Sequence, residues 1–409
     1  MLTHQPLTPF EQQELKELPV NWVKTQDELF NLLDEIETVN TIALDTEFIK
    51  RDTFFPILAL IQINTGNAIY LIDAPKLYLE ELWEVIADVP TMVLHACGED
   101  LGIYYLLSNL PALTNVFDTQ IGLGFLTGEG SMGYQKSLQD TLGIYVDKGE
   151  SQSDWLQRPL TYEQEQYAAD DVRYLLPLFD EIKAQLTAQK LWEFAVEDCQ
   201  SYTAELYEHF ITPDNEQYLT VADFRDTPQQ LAMLQALCEW REQLAKSINK
   251  PRTQILRPQA LREIIEKPPH SMKQLGFTST KPNVIRMYGQ EILKIVEEIR
   301  KADESTYPPA LPLPYRSLSD SVQKQLQQKI IDYANSLDIN ENILIRKKWL
   351  SELYAYVLAD ETPVLSPWLK GWRYDWLIQH LVPILQNVIA EGDEKEIKSN
   401  KLSNLNPPI

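Results

Sequence analysis

Three kinds of feature are scarce in this chain. Cysteine is one: Cys97, Cys199 and Cys238 are an odd number with no metal-ligand spacing. That excludes a disulfide framework and a cysteine-built zinc site, and fits reduced thiols in a cytoplasmic protein. Long apolar runs are another. None approaches the length of a bilayer span, and the leading MLTHQPLTPFEQQ has no charged-then-apolar signal pattern, so a soluble protein with no membrane partner is expected. The third is a phosphate-binding loop. GLGFLTGEG (residues 122–130) has Thr127 where GxGxxG needs glycine, and no GxxxxGK[ST] segment occurs. It reads as a helix followed by a loop, and no nucleotide cofactor is expected.

Positive charge is in the minority. Lys and Arg number 36 against 60 Asp and Glu, a net charge of −24, which argues against a general nucleic-acid binder. The charge is segregated, however. Residues 226–302 carry a net charge of about +5, with Lys246, Lys250, Arg252, Arg257, Arg262, Lys267 and Lys273 among their cations. A basic helical module joined to an acid-rich one is the electrostatic footprint of a protein that handles nucleic acid. The alternative is a solvated helical surface.

At 409 residues, 44% of them hydrophobic, two or three domains with a sizeable core are expected. Residues 1–40 read as a polar lead-in and a helix over 25–37. Strands are expected at 58–63 and 68–73, joined by the Gly-containing turn Asn64–Asn67 to form part of an antiparallel meander. Strand–helix alternation follows, giving a mixed sheet covered by helices. Thr161 and Gln164 make a capping box, so a helix starts near Tyr162, with Val172, Leu175, Leu176 and Phe179 on its core face. Helical segments fill residues 227–302, prolines mark a semi-rigid linker, and a third helical stretch follows. In that stretch LIRKKWL (344–350) echoes ILRPQAL (255–261), a weak internal duplication.

The chemistry centres on TIALDTEF, residues 41–48. Strand alternation points Asp45 and Glu47 the same way and Thr46 the other. Two carboxylates side by side at the end of a buried strand repel unless one takes a proton or a cation intervenes. Hard divalent ions, Mg²⁺ or Mn²⁺, suit an all-oxygen site; two solvated acids at an exposed strand end are the alternative. In HACGEDLGIYY (95–105) Asp100 falls in a helix's first turn, where the dipole favours a carboxylate, and capping by Glu99 beside it is the structurally simpler alternative. His95 and Cys97 lack the further ligands a soft-metal site needs. In YAADDVRYLL (167–176) Tyr167 and Asp171 share a helix face, with Asp170 competing.

DTE, HACGEDL and YAADDVRYLL together resemble the three motifs of the DEDD exonucleases, in the subclass with Tyr before the last Asp. The wider similarity is to the ribonuclease D family, and it covers nearly the whole chain in order. The resemblance implies a ribonuclease H-like α/β N-terminal domain (1–215) and two all-α helical-bundle domains. These are an HRDC domain (226–302) and a divergent HRDC-like copy (318–392), separated by a linker (303–317) and followed by a polar tail (393–409). It also implies Asp45, Glu47, Asp100 and Asp171 as ligands of two divalent ions, Tyr167 as the catalytic tyrosine, and Asp171 rather than Asp170 from the Tyr-x-x-x-Asp spacing. The activity implied is 3′→5′ exoribonuclease action on tRNA precursors by two-metal-ion hydrolysis, releasing nucleoside 5′-monophosphates. A monomer is expected, with RNA contacts at Lys246, Lys250, Arg252, Arg257 and Arg262. The competing readings are a catalytically inactive nucleic-acid-binding adaptor and a DNA-directed 3′→5′ exonuclease.

Overall fold

A computed structural model of the chain describes residues 2–147, 149, 153–311, 318–358 and 364–388. The N-terminal part runs α1 (Pro9–Lys16), β1 (Val20–Val23), α2 (Gln26–Ile36), β2 (Thr41–Ile49), β3 (Ile57–Asn64), β4 (Ile69–Ile72), α3 (Glu80–Asp88), β5 (Thr91–Leu94), α4 (Gly98–Ser108), β6 (Val116–Asp118), α5 (Thr119–Thr127), α6 (Tyr134–Leu142), α7 (Tyr162–Arg173), α8 (Leu175–Ala188) and α9 (Trp192–Ile211). The remainder is helical: α10 (Pro228–Ser247), α11 (Arg252–Ile255), α12 (Pro258–Glu266), α13 (Met272–Leu275), α14 (Pro282–Lys301), α15 (Asp320–Ser336), α16 (Glu341–Leu344), α17 (Lys347–Leu358) and α18 (Tyr374–His380). The expected polar tail lies outside the described residues, as do residues 312–317 of the expected linker.

The chain packs as two compact units. One comprises Met1–Phe48, Leu58–Phe210 and Pro314–Ile409; the other comprises Ile49–Ile57 and Ile211–Leu313. The first holds a six-stranded mixed sheet in the order β1-β4-β3-β2-β5-β6. β3 and β4 form the antiparallel hairpin, Ile61 opposite Ile72, while β1 with β4, β2 with β5 and β5 with β6 are parallel. At the hairpin turn Gly66 has φ +87°, the left-handed conformation that favours glycine, and its N–H donates to Asn64 Oδ1 at 2.8 Å.

Period-two alternation divides the strands between two cores. Ala43, Leu60, Leu71 and Val93 face one core with α5, α7 and α8. Ile42, Leu44, Ile61, Ile72 and Leu94 face the other with α2, α3 and α4. Four elements were not read from sequence, among them α1, which lies in what read as a polar lead-in. In β1 only Val23 is buried, so the strand shows no alternation; β6 has three residues; and α6 sits in what read as a loose region. The helix beginning at Tyr162 also breaks at Tyr174, which caps α7 and begins α8. That rotation leaves Leu176 half-buried rather than in the core.

The helices from α15 onward belong to the first unit, and Leu326, Ile330, Leu344, Leu353 and Leu377 share its core with Phe125 and Leu126. Glycines in and capping α5 allow the approach: a Cβ at Gly124 would meet Ile343 Cδ1 at 3.3 Å, and one at the C-cap Gly128 would meet Asn340 Cβ at 2.9 Å. The GLGFLTGEG glycines therefore serve helix packing. Trp372 stacks on Phe194 with ring centroids 4.5 Å apart. Beside it Arg373, 1% exposed, donates to both Asp198 oxygens and to the carbonyls of Leu344 and Ile343.

The second unit is helical around Leu231, Leu234, Leu237, Ile264, Leu275, Ile292 and Val296. The segment Ile49–Ile57 belongs to it: Asn249 Oδ1 accepts from the N–H groups of Phe54 (3.0 Å) and Phe55 (3.1 Å). No helix among the described residues is long and apolar enough to cross a membrane.

Candidate active site

The buried run Ile42, Ala43 and Leu44 fixes how β2 is seated in the sheet. Asp45 and Glu47 share the parity of Ala43, so they project on the face covered by α7 and α8. The capping box of Thr161 and Gln164 starts α7 at Tyr162, and four-residue spacing aligns Tyr167 with Asp171. One carboxylate oxygen each from Asp45, Glu47 and Asp171 lies within 4.8 Å of the others. With Tyr167 these acids line a cavity of about 190 Å³ whose wall is completed by His95, Tyr134 and Leu175. Asp170 is turned away and pairs with Arg173 at 2.7 Å.

Asp100 approaches from the other side of the strand. Thr46 has the parity of Ile42 and Leu44, which pack in the core that holds Leu101 of α4. The Thr46 hydroxyl donates to the Asp100 carboxylate. Asp100 is outside the three-acid group, yet its charge still raises the proton affinity of Asp45, Glu47 and Asp171.

The junction ahead of Asp100 is shaped by a residue the sequence reading missed. Asp118, 1% exposed, accepts backbone N–H bonds from Ala96 (3.0 Å), Cys97 (3.0 Å) and Gln120 (2.8 Å). Ala96 has φ +59°, a conformation costly for a residue with a Cβ, and Asp118 holds it there at the entry to α4. The only sequence signal was an acid closing the short apolar pair Val116-Phe117.

His95 is no metal ligand in this arrangement. Nδ1 meets the Thr119 hydroxyl at 2.8 Å and Nε2 meets the Met132 carbonyl at 3.0 Å. A carbonyl only accepts, so Nε2 carries the proton, and burial lowers the ring's pKa. Cys97 is fully buried, and burial, followed by the charge of Asp118, pushes its thiol up.

Burial is the leading influence on every acid of the cluster. It raises Asp45 well above the carboxylate range, helped by Asp100, Asp171 and Glu47. Glu47 is pushed to about 9 by burial, then by Asp171 and Asp100. Asp171 is pushed to about 8 by burial and Asp170, although a hydrogen bond with Tyr167 opposes the rise. Asp100 reaches about 6, burial outweighing the Thr46 hydrogen bond. The Tyr167 phenol is raised by burial and by Asp171, Glu47 and Asp45, so it stays protonated. Crowded buried carboxylates bind protons or a cation, and a cluster offering only oxygen donors fits a hard divalent ion.

The basic residues of the second unit divide. Lys246 pairs with Asp214 at 2.5 Å and Arg252 with the 1%-exposed carboxylate of Glu242 at 2.5 Å. Arg252 also lies over the Phe54 ring, 4.5 Å from its centroid. Arg262 reaches both oxygens of Asp226. Lys250 contacts the Asp52 carbonyl at 3.4 Å. Arg257 is the exposed N-cap residue of α12.

Comparison with known proteins agrees with this arrangement. Residues 20–187 match the 3′-5′ exonuclease family and residues 230–296 match the HRDC domain. Ribonuclease D of Pseudomonas paraeruginosa is 33% identical over 90% of this chain and 98% of its own. That of Psychromonas ingrahamii is 34% identical over 83% and 93%. The crystal structure of Escherichia coli RNase D, described as an exoribonuclease involved in structured RNA processing, superposes with a TM-score of 0.83 at 26% identity, covering 90% of this chain and 99% of that one. The mixed six-stranded sheet with its helical C-terminal region, the exonuclease and HRDC matches, and the near full-length relatives lead to one conclusion: this chain belongs to the ribonuclease D family of 3′-5′ exoribonucleases.

Proposed function

We propose that the chain trims the 3′ ends of tRNA precursors, releasing nucleoside 5′-monophosphates, with Asp45, Glu47, Asp100 and Asp171 holding two divalent ions, Mg²⁺ or Mn²⁺. The observation that carries this reading is the meeting of Asp45, Glu47 and Asp171 within 4.8 Å beside Tyr167. In the reaction a water oxygen bonds to phosphorus, the bond from phosphorus to the preceding 3′ oxygen breaks, and that oxygen takes a proton. When bound, the ions supply an activated water and relief of negative charge on the phosphate. The chain supplies the rest. The carboxylates would give up their protons on serving as ligands. The Tyr167 phenol, held protonated beside Asp171, orients the attacking water by hydrogen bonding, and with no phenolate formed it does not act as the base. Leu175 gives the cavity an apolar wall. Thr46 donates to and steadies Asp100, which would be among the ligands of a bound ion. The basic second unit supplies attraction for the RNA backbone that the acidic chain otherwise lacks.

The test is digestion of a 3′-extended tRNA and of a matched single-stranded DNA with Mg²⁺ or Mn²⁺, with nucleotide products identified. Stepwise shortening of the tRNA with 5′-monophosphates released supports the reading. Preference for the DNA, or 3′-monophosphate products, contradicts it.

A further inference from the structure

The cations of the second unit fall into two classes. Arg241, Lys246, Arg252, Arg262, Lys294, Arg300 and Lys301 each pair with a carboxylate of the same unit. A paired cation has its field largely cancelled at home and offers little to a phosphate. Lys50, Arg51, Lys250, Arg257, Lys267, Lys273, Lys281 and Arg286 form no ion pair among the described residues, and the last four are gathered in residues 267–290, which contain no Asp or Glu in a chain that has 60.

This segment also presents apolar surface to solvent. Phe277 is 78% exposed and Met287 60% exposed. Their neighbours Leu275 and Val284 are buried in the unit's core, and Met272 packs against Gly289, where a Cβ would lie 2.6 Å from the Met272 Cε. α13 is thus clamped on α14, and the turn between them is held outward. Glu263 stiffens that turn by accepting from the Ser279 N–H (2.5 Å) and hydroxyl (2.8 Å), bonds that also lower its pKa. Phe277 therefore stands on a braced turn with Lys273 before it and Lys281 and Arg286 after it.

An exposed aromatic ring among unpaired cations is the arrangement by which proteins hold single-stranded nucleic acid, a base stacking on the ring and phosphates meeting the cations. We propose that the α13–α14 turn, Phe277 with Lys273, Lys281 and Arg286, is a surface that grips a single-stranded stretch of the RNA substrate. The proposal rests on the exoribonuclease reading and locates its RNA affinity away from Arg252 and Arg262.

The test measures binding of a labelled oligouridylate to the full chain carrying Asp45→Asn, so that the probe survives, over a range of salt. Phe277→Ala is expected to weaken binding about 5- to 100-fold with an unchanged salt slope, as for the loss of one base stack. Lys273→Gln, Lys281→Gln and Arg286→Gln together are expected to reduce the slope by about 2, near 0.7 per phosphate contact on a single strand. Lys294→Gln, which removes a cation already paired with Glu298, is expected to change neither. Phe277→Ala binding like the parent, a triple variant with the slope of Lys294→Gln, or an equal Phe277→Ala loss on blunt duplex RNA would each overturn the proposal. If the wild-type chain still digests RNA in any of these cases, only the surface is wrong; a wild type that neither binds nor digests RNA removes the exoribonuclease reading as well.

Discussion

Raising the pH of the metal-free protein is expected to weaken its fold and to strengthen its hold on a divalent ion. Glu47 and Asp171 are shifted to about 9 and about 8 from ordinary values of 4.5 and 3.8. Their folded-state pKa values lie above the unfolded ones, so the folded chain binds protons that the unfolded chain releases. The stability these two groups contribute is fully present below about pH 4 and is lost as pH rises toward about 9. An ion that takes both carboxylates must displace both protons near neutral pH. Apparent affinity then climbs about tenfold per pH unit for each proton released, so about a hundredfold from pH 6.5 to 7.5, flattening above about pH 9. The acids interact, so the titration belongs to the group rather than to single residues. The assay is a thermal melt in chelator across this range, paired with calorimetric Mg²⁺ or Mn²⁺ titration. A melting temperature that is flat with pH, together with pH-independent affinity, would refute the electrostatic account of the cluster.

Two further outcomes follow from side chains outside the cavity. Arg373→Met leaves the buried Asp198 carboxylate with the Trp372 indole N–H but without its cation and is expected to cost about 3–5 kcal/mol in urea unfolding; pairing it with Asp198→Asn should recover much of the loss, and equal stability of wild type and single variant would show that this ion pair contributes nothing. Asp118→Asn removes one of two oxygens that fix the Ala96–Gln120 backbone, and activity is expected to fall about 10- to 100-fold as for residues that orient ligands, with Asp45 and Glu47 still binding metal. Unchanged turnover would mean that the junction does not aim Asp100.

Much of the site was legible because its signals are local. Two-residue alternation put Asp45 and Glu47 on one face, and four-residue spacing joined Tyr167 to Asp171. The choice between Asp170 and Asp171, open on residues alone, turns in the structure on Arg173 taking Asp170. What could not be read depends on partners distant in sequence. The bonds from Asp118 to Ala96 and Cys97 span 22 and 21 positions. Thr46 and Asp100 lie 54 apart. The docking of α15–α18 on the exonuclease core rests on Arg373 and Asp198, 175 residues apart, and on glycines of α5 that resembled a phosphate loop. It also bears on experiment: cutting the chain after Phe224 would strip Leu344, Leu353 and Leu377 from the first unit's core, so the second unit is better probed by point substitution.

The most direct measurement is RNA digestion by the Asp45→Ala variant beside wild type at saturating Mg²⁺, with melting curves for both. The account expects a rate loss on the order of 10³-fold or more in a protein at least as stable as wild type without metal, since one crowded buried acid is gone. Digestion near the wild-type rate by the folded variant would contradict it.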